Sequence, residues 1–422
     1  RLYRLGDESL WDNEILSLRR ASAPLSDVYE LRRAGTHPPR YSPVVLRPWL
    51  TLGDGAFMQR LPSAVLGVLT VALTYVVGRR AFGWRTGLAA AGLLAVLPLH
   101  VYYSREARMY ALLALLVTLW VFALLIAHRS NSVGAWSAYA VLGALILYTH
   151  YYAGLTVVAV IGATGAVYLT TAVDPGQRKR LLLSSGMIVL LFLPWLPTFV
   201  HQFRESSSNL PGRTIGDGPD FVVQFFTAFV DVPSVVRALI LGALAVLSVL
   251  LVLAAQRAVR AQDADLFPLA VMMAAVDGTI LLAILISFAK PILYVRYFVG
   301  ILPLLCILLA AAAARARPRL PGSVAYGALL LISVLFVVPV VTDSWRPDFS
   351  EVADRIAAEE TDGAVLLVVG PNEQDLGLSG LDHYNRTGIP VRFIDSADGG
   401  DAVADAIAGL ESDPTRIWLL QY

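Results

Sequence analysis

The chain has 422 residues, of which 57% are hydrophobic and only 15% are charged, and its formal net charge is +1 at pH 7. Because about 25% of the residues of a soluble globular protein are charged, this composition excludes an ordinary water-soluble domain. It predicts a polytopic α-helical membrane protein whose backbone polar groups are satisfied within helices. The single cysteine, Cys306, excludes an intrachain disulfide and a cysteine metal site.

Residues 1–60 mix charged side chains with Leu, Trp and Tyr, which predicts short helices lying in the membrane interface. The chain begins at Arg1 rather than Met, and we expect a further helix to precede it in the native protein. Asp12 and Glu14 follow Trp11 in this segment. Two carboxylates at this spacing suit a general base or a cation ligand. The alternative is a solvated acidic loop.

His37 is a second candidate in the same segment. Pro38 and Pro39 follow it and fix the backbone. We therefore expect the imidazole to be held in place, either in a functional site or as a structural group.

Apolar runs of about 17–23 residues predict ten transmembrane helices in residues 61–342. Tyr, Trp and Pro cluster at many of their ends, as amphipathic rings do at headgroup level. The predicted spans are 61–78, 87–103, 109–127, 134–151, 153–173, 181–200, 234–255, 266–288, 297–314 and 322–342.

The connections between these helices differ in charge. Alternate connections carry 12 basic residues, and the positive-inside rule places them in the cytoplasm. Residues 1–60, the remaining connections and the C-terminal region are then extracytoplasmic. The 12 residues are Arg79, Arg80, Arg85, Arg129, Arg178, Lys179, Arg180, Arg257, Arg260, Arg315, Arg317 and Arg319.

Arg105, Glu106 and Arg108 lie in one of the predicted outer connections. Charges beside hydrocarbon are costly and mark function or close pairing. Two arginines beside one acid suit a phosphate, and the alternative is snorkelling with mutual pairing. Further polar residues at the outer helix ends, each a site candidate or an interface anchor, are His150, Tyr151, Tyr152, His201, Arg204, Glu205, Lys290, Arg296 and Tyr297.

Asp277 falls within a predicted span, where a charge costs about 2.5–3.5 kcal/mol. We expect it to be protonated or paired across helices. It is the best argument in the sequence for a transport role.

Residues 343–422 carry 16 Asp and Glu against 5 Arg, a net charge of −11, whereas the rest of the chain carries 28 Lys and Arg against 16 acids, a net charge of +12. This difference implies two surroundings. We therefore expect three parts: an extracytoplasmic loop 1–60 with interfacial helices, a helical bundle 61–342, and a small soluble α/β domain 343–422. Its predicted elements are a helix at 350–360, strands at 364–369, 391–394 and 417–420, and a helix at 402–410.

Five motifs follow one another along the chain: Ser9-Leu10-Trp11-x-x-Glu14, His37-Pro38-Pro39-x-Tyr41, Arg60-Leu61-Pro62-Ser63, Pro98–Tyr110 and Arg296-Tyr297. In this order they resemble the GT-C membrane glycosyltransferases. They are most similar to the family 39-like branch, which contains dolichyl-phosphate-mannose protein mannosyltransferases and lipid A aminoarabinose transferases. The resemblance covers about residues 5–342.

The resemblance implies a cell-envelope enzyme of the plasma membrane. It would transfer a sugar from a polyprenyl-phosphate donor to a protein, lipid or glycan at the extracytoplasmic face, with inversion at the anomeric carbon and no nucleic acid partner. The implied catalytic residues are Asp12, Glu14 and Glu106. The implied donor-phosphate site is His37, Arg105, Arg108, Arg296 and Tyr297. Some relatives use a divalent metal, and its candidate ligands here are Glu14, His37 and His150.

One position departs from the family pattern. The aspartate of the family's acidic pair aligns with Asn13, and asparagine cannot act as a general base. Either Asp12 or Glu14 takes that role, or the protein is inactive. A non-catalytic binder or scaffold for lipid phosphates is therefore an alternative function, and a transporter of lipid-linked sugars is another.

Overall fold

In the computed structural model the chain forms two compact units. The first is built chiefly from Arg60–Asp343 with Arg1–Tyr3, and the second contains Arg4–Ala23, Ser42–Gln59 and the C-terminal region. The structure describes residues 1–24, 41–53, 55–205, 218–261, 265–288, 292–343, 348–358, 364–370, 383–384, 391–395 and 416–421.

In the described part of the chain, eight helices are long and apolar enough to cross a membrane. The prediction of a polytopic α-helical membrane protein is confirmed. The eight helical segments are Ala56–Phe82, Tyr110–Ser130, Ala153–Thr170, Pro175–Arg204, Ser234–Ala261, Leu266–Ser287, Val295–Arg315 and Arg319–Thr342.

Two of the ten expected spans are shorter than predicted. The expected span 87–103 is divided into Trp84–Val96 and Pro98–Tyr103. A residue before proline is disfavoured in α-helical conformation, and proline lacks the N–H that would continue the helix. The expected span 134–151 is the 17-residue helix Val133–Thr149, which ends where His150 adopts an extended conformation.

The remaining described helices are short. Two of them, Leu196–Glu205 and Gly218–Thr227, belong to the first unit and have 10 residues each. The first forms the end of the Pro175–Arg204 segment and follows a 3-10 turn at Leu193–Trp195.

Glycine permits the closest helix approach in the first unit. The chain reverses at Gly83, whose φ of +94° suits glycine, and Trp84–Val96 then packs back onto Ala56–Phe82. A Cβ atom on Gly87 would lie 2.6 Å from the backbone oxygen of Tyr75. The two backbones can therefore meet only because position 87 has no side chain.

Four arginines mark one end of the first unit, which we call the basic end: Arg80, Arg129, Arg257 and Arg315. Arg129 Nη2 donates to the Arg80 carbonyl oxygen at 3.1 Å. Arg257 Nη2 donates to the Arg315 carbonyl oxygen at 3.3 Å, and the Arg315 guanidinium lies 4.6 Å from the ring centroid of Phe82. Basic residues from four separate connections thus meet at the same end of the bundle.

The second unit combines helices with a three-stranded parallel sheet. The strands are β1 (Ala364–Gly370), β2 (Val391–Asp395) and β3 (Arg416–Gln421), in the order β2-β1-β3. The predicted strands are therefore present, and the predicted helix at 350–360 is observed as Phe349–Ala357. The predicted helix at 402–410 lies outside the described residues.

A small core joins the two sequence regions of this unit. Phe349, Ile356 and Leu366 are buried, and Trp11 packs against them. The Ser9 hydroxyl accepts a hydrogen bond from the Phe349 N–H at 3.1 Å. The helix Asp12–Ser22 therefore begins beside the C-terminal region, and its predicted place in the membrane interface stays a prediction. A π-helical turn at Ser42–Leu46 and a short helix at Arg47–Leu50 complete the described elements.

Candidate functional site

Aromatic rings from three connections form a cluster in the first unit. Tyr152 stacks on Tyr297, with ring centroids 4.0 Å apart and planes inclined by 14°. His150 lies 5.1 Å from the Tyr297 ring and 6.0 Å from the Tyr110 ring, centroid to centroid. Tyr103 lies 4.6 Å from Tyr110. We call these rings, together with Tyr294, Glu106, Arg108 and Arg296, the tyrosine–arginine cluster.

The cluster lies at the end of the bundle opposite the basic end. The Tyr110–Ser130 helix has Tyr110 at one terminus and Arg129 at the other, and its 21 residues are about 30 Å long. The Val295–Arg315 segment likewise begins beside Arg296 and ends at Arg315. Both segments therefore connect the cluster to the basic end across a membrane-length distance.

Arg296 is held between two tyrosine rings. Its guanidinium carbon lies 5.4 Å from the ring centroid of Tyr294 and 5.4 Å from that of Tyr297. At this distance a cation is attracted by the negative face of each ring. The tight 3-10 helix Val295–Ile301 places Arg296 and Tyr297 at the start of a membrane-spanning segment. The guanidinium is thereby oriented without a carboxylate being required.

The connection 104–109 supplies the other charges. Glu106 and Arg108 are buried, with exposed fractions of 1% and 7%. Ser63 Oγ donates to the Arg108 carbonyl oxygen at 3.3 Å and shares a hydrogen bond of 2.8 Å with the Tyr41 hydroxyl. The backbone of Arg108 is therefore fixed by residues from two other motifs of the sequence.

Arg105 makes different contacts. Its Nη1 atom donates to the carbonyl oxygens of Arg1 and Tyr3, and its side chain is buried. The Arg1 guanidinium in turn reaches His100 Nδ1 at 2.7 Å. Arg105 thus ties the first residues of the chain to the helical bundle, and its predicted role in phosphate binding stays a prediction.

The electrostatics of the cluster favour an anion. Burial, and to a smaller extent the positive charges of Arg108 and Arg296, lower the pKa of His150 to about 3. Burial raises the pKa of Tyr103, to which Glu106 contributes in the same direction and Arg296 in the opposite one. His150 is therefore neutral at physiological pH, in a region where two arginines make the potential positive.

This potential opposes a metal cation at His150. Among the described residues, no group of three or more His, Cys, Asp or Glu side chains is placed to hold a metal ion. His37 lies outside the described residues, as does Lys290. The expected metal ligands Glu14, His37 and His150 therefore stay a prediction, and no step below passes through a metal.

Asp12 and Glu14 lie in the second unit, in the first turn of the Asp12–Ser22 helix. The Trp11 carbonyl oxygen accepts the N–H of Glu14 at 2.8 Å and that of Ile15 at 3.0 Å. Carboxylates are favoured at this positive end of a helix. Glu14 is fully buried and Asp12 is partly exposed. Since residues two apart on a helix do not face each other, one of the two carboxylates at most can face a given reacting atom.

The sequence analysis did not identify Tyr294 as a residue of the cluster. The pattern Tyr294-Val-Arg296-Tyr297 could have indicated it, because it places an aromatic ring on each side of the arginine. Tyr151 accepts a hydrogen bond from Trp195 Nε1 at 2.8 Å and donates to Gln202 Oε1. It therefore fixes the Pro175–Arg204 segment to the adjacent connection.

Asp277 lies in a π-helical turn, Ala274–Gly278, where its side chain is exposed. That it is protonated or paired across helices stays a prediction. Two residues further on, a polar contact joins two helices, since Thr279 Oγ1 and Thr156 Oγ1 are 3.0 Å apart.

Comparison with known proteins agrees with this fold. Residues 37–197 match the sequence model of the family described as dolichyl-phosphate-mannose-protein mannosyltransferase. The crystal structure of ArnT from Cupriavidus metallidurans in the apo state matches 95% of this chain and 85% of its own, with a TM-score of 0.60 and 17% identity. Its complex with undecaprenyl phosphate matches 98% of this chain and 86% of its own, with a TM-score of 0.59 and 15% identity.

A third structure is more distant. The archaeal oligosaccharyltransferase AglB from Archaeoglobus fulgidus, in complex with an inhibitory peptide and a dolichol-phosphate, matches 83% of this chain and 56% of its own, with a TM-score of 0.51 and 12% identity. Comparison with curated proteins gives no match. The expected resemblance to the GT-C class is confirmed: part of the chain matches this family model, and the chain shares the fold of ArnT and AglB.

Proposed function

We propose that this protein is a GT-C glycosyltransferase, which transfers a sugar from a polyprenyl-phosphate donor to an acceptor hydroxyl at the extracytoplasmic membrane face. The proposal rests on the tyrosine–arginine cluster. There the positive charges of Arg108 and Arg296 help to lower the pKa of the buried His150, whose ring is therefore neutral. Such a site suits the phosphate of a lipid donor. The ArnT structure with undecaprenyl phosphate and the AglB structure with a dolichol-phosphate support this donor class.

The arginines would stabilise the leaving group. As the bond between the anomeric carbon and the phosphate oxygen breaks, its electron pair remains on the phosphate and negative charge grows there. Two tyrosine rings orient the Arg296 side chain, and Ser63 holds the Arg108 backbone, so the charge is stabilised with little reorganisation. The planar guanidinium of Arg296 can bind two phosphate oxygens at once. Arg105 and His37 are the further predicted members of this phosphate site.

The nucleophile is the acceptor hydroxyl. Its oxygen forms the new bond to the anomeric carbon from the side opposite the phosphate, which inverts the configuration. Its proton passes to a carboxylate, and Asp12 or Glu14 is proposed as that base, with Glu106 assisting. General base catalysis of this kind contributes about 10²–10⁴-fold to the rate. The products are the glycosylated acceptor and polyprenyl phosphate.

The membrane face follows from charge. The basic end of the bundle carries arginines from alternate connections, and such loops remain in the cytoplasm. The tyrosine–arginine cluster, at the opposite end, is then extracytoplasmic, and so is the acidic C-terminal region. Cysteine substitutions test this: a cysteine replacing the exposed Ser132 is expected to resist a membrane-impermeant thiol reagent in intact cells, and one replacing the exposed Thr51 is expected to react.

The test of function uses the purified full chain in nanodiscs with a panel of polyprenyl-phosphate sugars. We expect transfer, or slow hydrolysis in the absence of acceptor, from at least one donor. Release of polyprenyl phosphate should fall in the Arg296→Gln variant and stay normal in Arg237→Gln. Arg237 is the matched control because it forms an exposed ion pair with Asp220 at 3.0 Å. Absence of release from every donor that binds would reject the enzyme proposal.

That last outcome would favour the second candidate function, a non-catalytic binder of lipid phosphates. Its supporting observation is Asn13, which occupies the position of the family's usual aspartate. A binder would bind the donor through Arg108 and Arg296, and its donor affinity would not change when Asp12 and Glu14 are replaced. Donor binding measured beside turnover therefore separates the two functions.

A further inference from the structure

A cleft of about 290 Å³ opens at the basic end of the first unit. It lies between the end of the Ala56–Phe82 helix and the last turns of the Tyr110–Ser130 helix. None of the residues proposed for sugar transfer lines it. The described lining residues are Arg80, Phe122, Leu125, Ile126, Arg129 and Ser130.

The mouth of the cleft is positively charged. Arg80 and Arg129 are both exposed. Arg129 Nη2 donates to the Arg80 carbonyl oxygen at 3.1 Å, which holds the Arg129 guanidinium across the end of the neighbouring helix. The described lining contains these two cations and no carboxylate. Two like charges at the edge of a low-dielectric region attract an anion more strongly than they would in water.

The inner wall of the cleft is apolar. Leu125 is buried, and Phe122 and Ile126 are partly exposed on successive turns of one helix. Phe122 precedes Arg129 by seven residues, which is about 10 Å along a helix axis. The lining therefore changes from charged to apolar over the distance that separates the phosphate of a phospholipid from the upper part of its acyl chains. A free phosphate would use only the mouth.

We propose that this cleft binds an anionic phospholipid, with its phosphate at Arg80 and Arg129 and an acyl chain along Phe122 and Ile126. The site is separate from the tyrosine–arginine cluster, and it does not depend on the proposed sugar transfer. Basic pockets between helices at the cytoplasmic side of membrane proteins suit anionic headgroups. The occupant is a lipid of the surrounding leaflet rather than a substrate.

The experiment measures lipid binding to the purified full chain by native mass spectrometry, with phosphatidylglycerol and phosphatidylcholine of equal chain length. We expect phosphatidylglycerol to bind at least about fivefold more tightly than phosphatidylcholine, because one basic side chain near the headgroup changes affinity by about fivefold. Arg80→Gln and Arg129→Gln should each weaken phosphatidylglycerol binding by about fivefold, and the double variant by about 25-fold if the effects add.

Arg260→Gln is the matched control, since Arg260 is another exposed arginine of a predicted cytoplasmic connection but does not line the cleft. It should bind phosphatidylglycerol as the wild type does. Ile126→Trp keeps both arginines but fills the apolar part of the cleft with a larger side chain. It should also weaken phosphatidylglycerol binding. Thermal unfolding without added lipid verifies that each variant is folded.

Three results would overturn the proposal. The first is a folded double variant that binds phosphatidylglycerol as well as Arg260→Gln does. The second is equal binding of phosphatidylcholine and phosphatidylglycerol by the wild type. The third is an equal increase in Tm, measured by thermal unfolding, with glycerol 3-phosphate and with phosphatidylglycerol. That result would show a site for free anions instead of a lipid site.

Discussion

Tyr152 and Tyr297 are stacked face to face, with centroids 4.0 Å apart, although 145 positions separate them in the sequence. The stack joins the connection after Val133–Thr149 to the start of the Val295–Arg315 segment. Because Tyr297 also lies under the guanidinium of Arg296, the ring of Tyr152 supports the surface on which the arginine rests.

Replacing Tyr152 by Ala removes the ring that supports Tyr297 but keeps the Arg296 side chain. It should therefore weaken donor binding. An aromatic pair contributes about 0.5–1.5 kcal/mol beyond its buried area, so we expect the donor KM to rise by about two- to tenfold. Tyr152→Phe keeps the stack and should remain close to wild type. An equal loss in both variants would mean that the hydroxyl, and not the stacked ring, is what matters.

Arg296 is predicted to bind the donor phosphate. Charge-assisted hydrogen bonds are worth about 1.5–3 kcal/mol, so Arg296→Gln should raise the donor KM by about ten- to a hundredfold. Arg296→Lys retains the charge but loses the planar guanidinium, whose carbon lies 5.4 Å from the ring centroids of Tyr294 and Tyr297. Its donor KM should lie between those of the wild type and Arg296→Gln. Steady-state kinetics with varied donor measures the effect, with Arg237→Gln as the control. A KM unchanged in Arg296→Gln contradicts the assignment.

The base is tested at Asp12 and Glu14. Asp12→Asn and Glu14→Gln remove the proton acceptor while keeping size, and loss of the true base should lower kcat by about 10²–10⁴-fold. Donor binding should change little. Asp7→Asn is the control, since Asp7 lies in the same segment and forms an exposed ion pair with Arg4 at 2.7 Å. Normal turnover in the double variant would remove both carboxylates from the chemistry.

His150 gives the protein a pH dependence of known sign. The pKa of His150 is about 3 in the folded protein and about 6.5 in the unfolded chain. Between these values the unfolded chain binds one more proton, so stability is fully present above about pH 6.5 and decreases as the pH falls towards 3. The slope from this one residue is at most about 1.4 kcal/mol per pH unit.

His150→Gln cannot be protonated, so the difference in Tm between wild type and variant should narrow as the pH is lowered from 7 to 4. Thermal unfolding followed by tryptophan fluorescence measures the two profiles. The comparison uses the pH dependence and not the absolute Tm, because the variant also loses ring contacts with Tyr110 and Tyr297. Parallel profiles would show that His150 takes up its proton over the same pH range in the folded and unfolded chains, so that folding does not lower its pKa.

Gly87 tests the helix packing independently of function. A Cβ atom at this position would lie 2.6 Å from the Tyr75 oxygen and 2.7 Å from the Arg79 nitrogen, both of them backbone atoms that cannot rotate away. We expect Gly87→Ala to destabilise the protein by about 1–3 kcal/mol through overpacking. Gly92→Ala, in the same helix with no atom within 4 Å of its Cβ position, should be neutral or slightly stabilising. The Tm values in one detergent decide the comparison.

The sequence alone determined the membrane helices, their number within two, and the alternation of basic connections. Hydropathy and loop charge are local properties, and the bilayer acts on each apolar run almost independently. The strands of the C-terminal region were also predictable, since short β-rich runs are local signals. The division of the expected span 87–103 was readable at Pro98 in principle, because proline acts on its own backbone.

The tertiary structure decided which of the candidate polar residues act together. The sequence selected Arg108, His150 and Arg296 one at a time. Only the packing of distant helices brings both arginines near enough to the buried imidazole to lower its pKa. Packing also gave Arg105 backbone partners at the first residues of the chain and left Asp277 on the outside of the bundle. The physical reason is that side-chain pairing across helices depends on helix rotation and crossing, which no single apolar run encodes.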